Sequence, residues 1–281
     1  MLTVLEIIKK TTDFFAGKGI ESPRLNAELL IGHALGLKRM ALYLQFERLL
    51  AESELEKIRP LVRRRGLREP LQYIVGETEF HGLKLKVDRR ALIPRPETEL
   101  LVATIIERCT TPPTAVLDLG TGSRAIALAL AKQFPAAIVT GLDLSDEALS
   151  LARENAAATG LAEWVTFLKS SWFDALATDA RFDLIVANPP YLSATETAQT
   201  APEVRDHEPK SALTAAEEGL ADLRIIISGA PKFLAPGGLV ALETGIAQHA
   251  ELVRLARAAG FAQIESRPDL TGRDRFVLAR A

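Results

Sequence analysis

In its second part the chain alternates short apolar segments with amphipathic ones, and this alternation limits the folds that are open to it. Ala115–Leu119, residues 137–142 and Phe182–Ala187 are short and apolar, and the segments that separate them include stretches of helical periodicity. This order predicts an α/β fold with a parallel, doubly wound sheet and helices on both faces. Two further apolar segments near the end, 261–267 and 273–278, predict a closing hairpin that adds an antiparallel strand.

The part of the chain that precedes this alternation has a different character. Residues 1–75 have helical periodicity, and Thr3 with Glu6 forms a capping-box pattern, which predicts a small helical bundle. Residues 76–96 alternate and then become rich in proline, which indicates a β-hairpin followed by a stiff connector. Residues 97–281 then form the alternating domain. Within it we expect one helix to cover residues 220–234.

Charge and composition narrow the classes of function. The chain has a net charge of −2, and residues 1–75 carry 13 Lys and Arg against 9 Asp and Glu, a net charge of +4. A duplex-binding protein usually has a stronger basic face, so nucleic acid is not the expected substrate. Arg63, Arg64 and Arg65 are expected to form a solvated helix face.

Several further classes of site are not expected. Cys109 is the single cysteine, which excludes an internal disulfide and suits a reducing compartment. His81 and His207 have no partners at metal-ligand spacing, so we assign no metal. The N-terminus lacks the order of a signal peptide, and no apolar run approaches the length of a membrane span. We therefore expect a cytoplasmic protein that does not bind a membrane.

A glycine-containing loop follows the first strand of the alternating domain. Asp118 and Leu119 lead into Gly120, Thr121, Gly122, Ser123 and Arg124, after which a helix begins. The glycines allow a tight turn and a close approach of the backbone to a ligand. Asp143 ends the next strand, where a carboxylate can accept both hydroxyls of a ribose at the edge of the sheet. The spacing of the glycines suits a cofactor without phosphates better than a dinucleotide.

The tetrapeptide Asn188-Pro189-Pro190-Tyr191 follows the strand Phe182–Ala187 directly. Its two prolines fix the backbone and remove two N–H donors, so that the Asn188 side-chain oxygen and the Pro189 carbonyl remain as acceptors. Such a pair matches the two donors of a planar –NH₂ group, whose delocalised lone pair makes it a poor nucleophile. Holding both N–H groups aims that lone pair at an electrophilic carbon, and Tyr191 offers a flat face to pack on the planar group.

These segments resemble those of known families. The glycine loop resembles that of the class I S-adenosylmethionine methyltransferases, which have a third glycine where this chain has Arg124, and we expect weakened cofactor binding as a result. The tetrapeptide resembles that of methyltransferases acting on adenine N6, cytosine N4 or glutamine N5. The whole chain resembles the release-factor glutamine methyltransferases (HemK/PrmC family). That likeness also lies in residues 69–74, 92–99, 207–209 and 272–275.

The resemblance implies a fold, a reaction and a set of roles. It implies a class I methyltransferase sheet of seven strands with the last antiparallel, carried by residues 97–281, and a substrate-recognition role for residues 1–75. The cofactor implied is S-adenosylmethionine, and the substrate is the glutamine of the Gly-Gly-Gln motif in class 1 peptide chain release factors. The implied cofactor residues are Gly120 to Arg124, Asp143, Trp172 and Asn188. The implied catalytic residues are Asn188, Pro189 and Tyr191, and residues 188–191 would bind the glutamine.

Three alternatives remain open at this stage. The same site chemistry would methylate a glutamine of a ribosomal protein. Adenine N6 of a nucleic acid is a further planar –NH₂ group, although the modest charge does not favour it. A cofactor-binding module disabled by Arg124 would be no enzyme, but that hypothesis does not account for the intact tetrapeptide.

Overall fold

The computed structural model describes residues 2–281 and contains thirteen helices and nine strands in that range. The helices are α1 (Val4–Gly17), α2 (Pro23–Leu35), α3 (Arg39–Tyr43), α4 (Glu52–Gly66), α5 (Leu71–Val75), α6 (Pro96–Arg108), α7 (Ala125–Gln133), α8 (Asp146–Thr159), α9 (Ala194–Gln199), α10 (Pro202–His207), α11 (Ala216–Gly219), α12 (Ala221–Gly229) and α13 (His249–Ala258). The strands are β1 (Glu77–Phe80), β2 (Leu83–Lys86), β3 (Ala115–Leu119), β4 (Ile138–Asp143), β5 (Val165–Lys169), β6 (Phe182–Ala187), β7 (Leu234–Glu243), β8 (Gln263–Pro268) and β9 (Asp274–Arg280).

Seven strands form one mixed sheet in the order β5-β4-β3-β6-β7-β9-β8. The pairs among β3, β4, β5, β6 and β7 are parallel, whereas β9 runs antiparallel to both β7 and β8. The predicted α/β class, with a closing antiparallel hairpin, is confirmed. The order places β4 and β5 on one side of β3 and β6 and β7 on the other, so the chain changes direction in the sheet between β3 and β6.

Two buried apolar clusters cover the sheet. The first includes Val116 and Val186 with helix α7, whose residues 125–131 are all buried. The second includes Leu117 and Ile185 with helices α12 and α13. Because successive side chains of a strand point to opposite faces, adjacent residues of β3 and of β6 belong to different clusters. Burial on both faces explains why these strands are mostly apolar rather than alternating between apolar and polar residues.

The prediction of one helix over residues 220–234 is wrong for its last five residues, 230–234. Helix α12 ends at Gly229, and Leu234 already begins strand β7. Pro231, in the 3₁₀ turn Ala230–Lys232, ends the helical hydrogen bonding because proline has no N–H to donate. Gly229 also has no room for a side chain, since an added Cβ would lie 2.7 Å from the Phe173 ring.

The polypeptide divides into two compact units. One comprises Met1–Glu77 together with Ala201–His207, and the other comprises Thr78–Thr200 with Glu208–Ala281. The first unit is helical, with a core of its own that includes Ile8, Leu30 and Ile58. In the second unit, β1 and β2 form a two-stranded sheet. In the part of the chain that the structure describes, no helix is long and apolar enough to cross a membrane.

Residues Ala201–His207 are held to the N-terminal part of the first unit by hydrogen bonds from arginines. Glu203 accepts hydrogen bonds from Arg65 and Arg68, with N–O distances of 2.8 and 2.7 Å. Arg65 also donates to Asn26, and only 5% of Arg65 is exposed. The expectation that Arg63 to Arg65 form a solvated face is therefore wrong for Arg65. An acidic residue more than 130 positions away supplies its partner, and the local sequence gives no indication of it.

A buried carboxylate organises helices α2 and α3. Glu28 is fully buried, and its two oxygens accept hydrogen bonds from Arg24, Arg39 and the Tyr43 hydroxyl at 2.8 to 2.9 Å. Burial opposes the ionised form, but these hydrogen bonds outweigh it and keep the pKa of Glu28 below its ordinary value. A buried charge is tolerated when its hydrogen bonds are made.

We expect Glu28→Gln to lower the free energy of unfolding by about 1–3 kcal/mol, because hydrogen bonds to a charged group are worth about 1.5–3 kcal/mol each and the amide replaces them only in part. The matched control is Glu56→Gln, which removes the same charge from an exposed position of the same unit and should change stability by less than about 0.5 kcal/mol. Urea denaturation measures both. Equal effects of the two substitutions would contradict the stabilising role of Glu28.

Candidate active site

The carboxyl ends of three neighbouring strands meet at one edge of the sheet. In the register of the parallel pairs, Leu119 of β3 lies beside Leu142 of β4 and beside Ala187 of β6. The residues that follow these positions are Gly120, Asp143 and Asn188. This edge is also where the strand order changes direction, which is the place where open α/β sheets bind ligands.

A cavity of about 600 Å³ opens at this edge of the second unit. Its size is within the range of small-molecule sites. The part of its lining that the arguments below use consists of Thr98, Gly120, Thr121, Gly122, Ser123, Asp143, Trp172, Asn188, Pro190 and Asp222. These ten residues come from helix α6, from the segments at and after three strand ends, and from the segments of Trp172 and Asp222, and all of them face one space.

The glycine loop has the backbone conformation that its sequence predicts. Gly120 and Gly122 both have positive φ, of 69° and 51°, a region that residues with a Cβ rarely adopt. The Thr121 N–H donates to the Leu142 carbonyl at 2.9 Å, which fixes the loop to the adjacent strand. The loop therefore presents its backbone to the cavity in a fixed shape.

Asp143 holds the loop and has acceptor capacity left for a ligand. One carboxylate oxygen accepts from the Gly122 N–H at 2.8 Å, and the other accepts from the Ser145 N–H at 2.9 Å. A carboxylate offers about four lone-pair sites, so Asp143 has acceptor capacity beyond these two hydrogen bonds. Burial raises the pKa of Asp143, and a ligand hydroxyl that donates to the carboxylate would favour its ionised form. A vicinal diol such as a ribose matches this arrangement.

A flat indole forms another part of the wall. The ring of Trp172 lies over Gly120, where an added Cβ would be 3.5 Å from it, and the indole N–H donates to Asp222 at 3.2 Å. Trp172 itself has a positive φ of 45°, which is uncommon for a bulky residue. Such outliers persist where the surrounding structure fixes them. The ring and the Asp222 carboxylate together suit a planar, amine-bearing group.

A second carboxylate supports the loop from behind. Asp118 is 1% exposed and accepts a hydrogen bond from the Thr121 hydroxyl at 2.6 Å. Burial raises the pKa of Asp118 to about 7. Asp143 lines the cavity beside the loop, so a pyrophosphate bound there would meet a carboxylate. The site therefore favours a cofactor without phosphates, as the glycine spacing predicts.

The tetrapeptide after β6 divides between the cavity and the interior. Asn188 and Pro190 line the cavity, whereas Pro189 is buried. Tyr191 packs against the second core cluster and donates its hydroxyl to Glu243 at 3.0 Å. Within residues 2–281, neither Pro189 nor Tyr191 is among the residues that line the cavity, so the predicted stacking of Tyr191 on a substrate stays a prediction.

The connector before helix α6 is held by Glu208, which lies in a segment that carries the family resemblance but was given no role from the sequence. Glu208 is 5% exposed, and its carboxylate accepts from the Ile93 N–H at 3.2 Å and from Arg95 at 2.6 Å. Ile93, Pro94 and Arg95 line the cavity beside Asn188. Glu208 and the connector are more than 100 residues apart in sequence but are hydrogen-bonded to each other. Glu208 therefore fixes the part of the cavity wall that the connector forms.

Comparison with known proteins identifies the family. Residues 6–76 match the PrmC N-terminal domain, and residues 96–216 match the methyltransferase small domain. Proteins named release factor glutamine methyltransferase are similar over nearly the whole chain. The one from Geobacter sulfurreducens is 42% identical over 99% of this chain and 96% of its own. The one from Deinococcus radiodurans is 44% identical over 98% of this chain and 97% of its own.

The chain belongs to the release factor glutamine methyltransferase family. The resemblance predicted from the motifs is confirmed. Among solved structures, the ribosomal protein L11 methylase of Lactobacillus delbrueckii is 26% identical, with a TM-score of 0.50, over 66% of this chain and 80% of its own. An rRNA methyltransferase of Thermus thermophilus shares the fold at a TM-score of 0.55 and 21% identity, over 73% of this chain and 49% of its own.

Arg124 stands where the resemblance to the class I methyltransferases implies a third glycine. Its φ is 76°, so the backbone keeps the left-handed conformation that suits glycine. The side chain is fully buried and packs over the ring of Phe167, and within residues 2–281 none of its three nitrogens has a hydrogen-bond partner. Ser123 and Ala125 line the cavity, but Arg124 does not. The Arg124 side chain therefore does not face the cavity, and the cofactor-binding role expected for residue 124 stays a prediction.

The burial of Arg124 is costly to the fold. Loss of solvent lowers its pKa to about 8, and the nearby Asp118 opposes this shift without forming a hydrogen bond to it. A buried charge without a partner destabilises a protein by about 3–5 kcal/mol. A left-handed backbone at a residue other than glycine adds about 1–2 kcal/mol. Arg124 therefore fills the space behind the loop at a cost to the stability of the fold.

We expect Arg124→Gly to stabilise the protein by at least about 2 kcal/mol, because it removes both costs and adds only about 0.5–1 kcal/mol of backbone entropy. This corresponds to a rise of at least about 4 °C in the unfolding temperature. The exposed Arg257 serves as the control, since Arg257→Gln removes a charge at the surface. Calorimetric titration of the same variants with S-adenosylmethionine tests the weakened binding expected from the sequence. An unfolding temperature that falls would contradict this account.

Proposed function

We propose that this protein transfers the methyl group of S-adenosylmethionine to the side-chain amide nitrogen, N5, of a glutamine in a release factor. Family membership indicates the reaction, and the position of Asn188 is the observation that carries the mechanism. Asn188 follows β6 and lines the same cavity as the glycine loop and Asp143. A substrate –NH₂ group that binds at Asn188 therefore lies in the same cavity as the place proposed for the cofactor.

The residues of the cavity fit the methyl donor. Asp143 has acceptors for the two ribose hydroxyls, the Trp172 ring provides a face for the adenine, and the loop around Gly120 and Gly122 leaves room for the backbone to approach the ligand. When bound, S-adenosylmethionine supplies a methyl group on a positively charged sulfur. The nearby carboxylate of Asp143 favours a ligand of that charge over one with phosphates.

The protein's contribution to the reaction is to position the amide. The amide nitrogen is a poor nucleophile because its lone pair is shared with the carbonyl. The Asn188 Oδ1 and the Pro189 carbonyl would accept the two N–H bonds, which points the lone pair at the methyl carbon and favours a pyramidal nitrogen. The nitrogen loses a proton readily once methylated, so positioning and electrostatics supply most of the catalysis.

We further propose how the partner is chosen. The substrate is the glutamine of the Gly-Gly-Gln motif of class 1 release factors, and the first unit, with its net positive charge over residues 1–75, recognises the release factor. This division leaves the chemistry to the second unit, whose cavity grips the amide without distinguishing its carrier. The protein acts where release factors are made, in the cytoplasm.

A labelling experiment separates the candidate substrates. The protein is incubated with methyl-labelled S-adenosylmethionine and, in separate reactions, a class 1 release factor, the same factor with its Gly-Gly-Gln glutamine replaced by alanine, a ribosomal protein and DNA. We expect label on the unmodified release factor alone, since only it presents that amide. Label on DNA or on the ribosomal protein alone would contradict the proposal, and so would equal labelling of the alanine-substituted factor.

Asn188→Ala tests the role of the acceptor. We expect turnover to fall at least ~100-fold, as for the loss of a transition-state contact, whereas the dissociation constant of S-adenosylmethionine should change by less than about 3-fold, a free-energy change of roughly 0.7 kcal/mol. Gln199→Ala, which removes an exposed carboxamide from helix α9, should leave both quantities unchanged. Undiminished turnover in Asn188→Ala would remove Asn188 from the mechanism.

A further inference from the structure

A buried hydrogen-bond chain lies behind the acceptor that the proposed function uses. The Asn188 Nδ2 donates to the Thr98 Oγ1 at 3.1 Å, and the Thr98 hydroxyl donates to the Glu243 Oε2 at 2.7 Å. Thr98 is 4% exposed and Glu243 is 1% exposed. Tyr191, three residues after Asn188, donates its hydroxyl to the other oxygen of Glu243 at 3.0 Å. The Glu243 carboxylate is thus linked to both ends of the tetrapeptide, directly to Tyr191 and through Thr98 to Asn188.

The chemistry of this chain fixes which way the Asn188 carboxamide faces. An asparagine side chain is nearly symmetric in shape, so packing alone does not distinguish its oxygen from its nitrogen. The Thr98 hydroxyl has one hydrogen, and Glu243 takes it. Toward Asn188, Thr98 can therefore offer only lone pairs, and only the –NH₂ half of the carboxamide can pair with them. The oxygen is left for the cavity, and no hydrogen bond within residues 2–281 occupies it.

The backbone of the tetrapeptide is also held. Gln248 donates to the Tyr191 carbonyl at 2.8 Å and to the Glu218 carbonyl at 3.3 Å, and it accepts from the Gly245 N–H at 2.9 Å. An added Cβ at Gly219 would lie 2.1 Å from the Tyr191 carbonyl oxygen, which shows how closely the two segments approach. With the backbone fixed, rotation of the Asn188 carboxamide is the main freedom left at the proposed acceptor.

We propose that Thr98 and Glu243 are positioning residues that hold Asn188 with its oxygen toward the cavity, so that it accepts from the substrate –NH₂ instead of donating to it. This inference rests on the proposed function. Neither residue needs to touch the substrate. A rotated carboxamide would set an N–H against the N–H bonds of the substrate, and that contact repels.

Three substitutions at Thr98 test the inference. Thr98→Val removes the hydroxyl and keeps the shape, and we expect kcat to fall about 10- to 100-fold, a barrier increase of roughly 1.4–2.7 kcal/mol. The dissociation constant of S-adenosylmethionine should change less than about 3-fold, or roughly 0.7 kcal/mol. Thr98→Ser keeps the hydroxyl and should retain kcat within about the same 3-fold. Thr98→Ala is a second variant without the hydroxyl and should lose kcat as Thr98→Val does.

Combination with Asn188→Ala shows whether Thr98 acts through Asn188. If it does, Thr98→Val/Asn188→Ala should turn over no more slowly than Asn188→Ala alone, within about 3-fold, because residues that act as a unit are not additive. Losses that multiply would overturn the inference, and so would a folded Thr98→Val enzyme with the kcat of the wild type. Undiminished turnover in Asn188→Ala alone would instead reject the proposed function at this site.

A binding measurement gives a readout that a merely structural role would not move. A release factor with glutamate in place of the loop glutamine presents acceptors only, so an outward Asn188 oxygen repels it and an outward –NH₂ group accommodates it. We expect Thr98→Val to narrow the difference in affinity between the glutamine and glutamate forms, and Thr98→Ser to preserve it. The same narrowing in Thr98→Ser would contradict the role of the hydroxyl.

Discussion

The site depends on the alignment of three strand ends. Parallel strands carry their carboxyl ends to the same edge of a sheet, and the order of this sheet reverses between β3 and β6. A glycine loop, a carboxylate at Asp143 and the acceptor at Asn188 therefore meet although they lie up to about 70 positions apart. Both faces of these strands are buried in apolar clusters, so the register that creates the meeting point is fixed by the packing of the whole domain.

At that edge, the hydrogen-bond donors and acceptors determine which kind of group the site can bind. Two prolines remove N–H groups from the segment that faces the cavity, and a buried carboxylate at Glu243 fixes the direction of the hydrogen bonds behind it. Burial raises the pKa of Glu243, but each of its oxygens accepts a hydroxyl. In the proposed site, the acceptors for the ligand are the Asn188 Oδ1 and the Pro189 carbonyl. Such a site selects a planar –NH₂ group because it offers acceptors for both N–H bonds and because the prolines remove N–H donors that would compete with them.

Much of this was predictable from local sequence, because strand periodicity, glycine at positive φ and proline without a donor are local properties. The sheet, the loop and the tetrapeptide follow from them. Long-range polar partners do not. Glu243 ends an apolar strand, and nothing nearby in the chain indicates that Thr98 would pair with it. The partner of Arg65 was equally unpredictable from local sequence, since Glu203 lies in a remote segment. The direction of the Arg124 side chain depended on the space behind the loop, which only the packing reveals.

A structure of the protein with S-adenosylhomocysteine and a peptide containing Gly-Gly-Gln tests the central claim most directly. The account predicts that the glutamine amide nitrogen lies about 3 Å from both the Asn188 Oδ1 and the Pro189 carbonyl, within hydrogen-bond reach, and on the side of the cofactor's sulfur. A peptide bound with its amide away from these two oxygens, or an Asn188 carboxamide that turns its nitrogen toward the ligand, would contradict it.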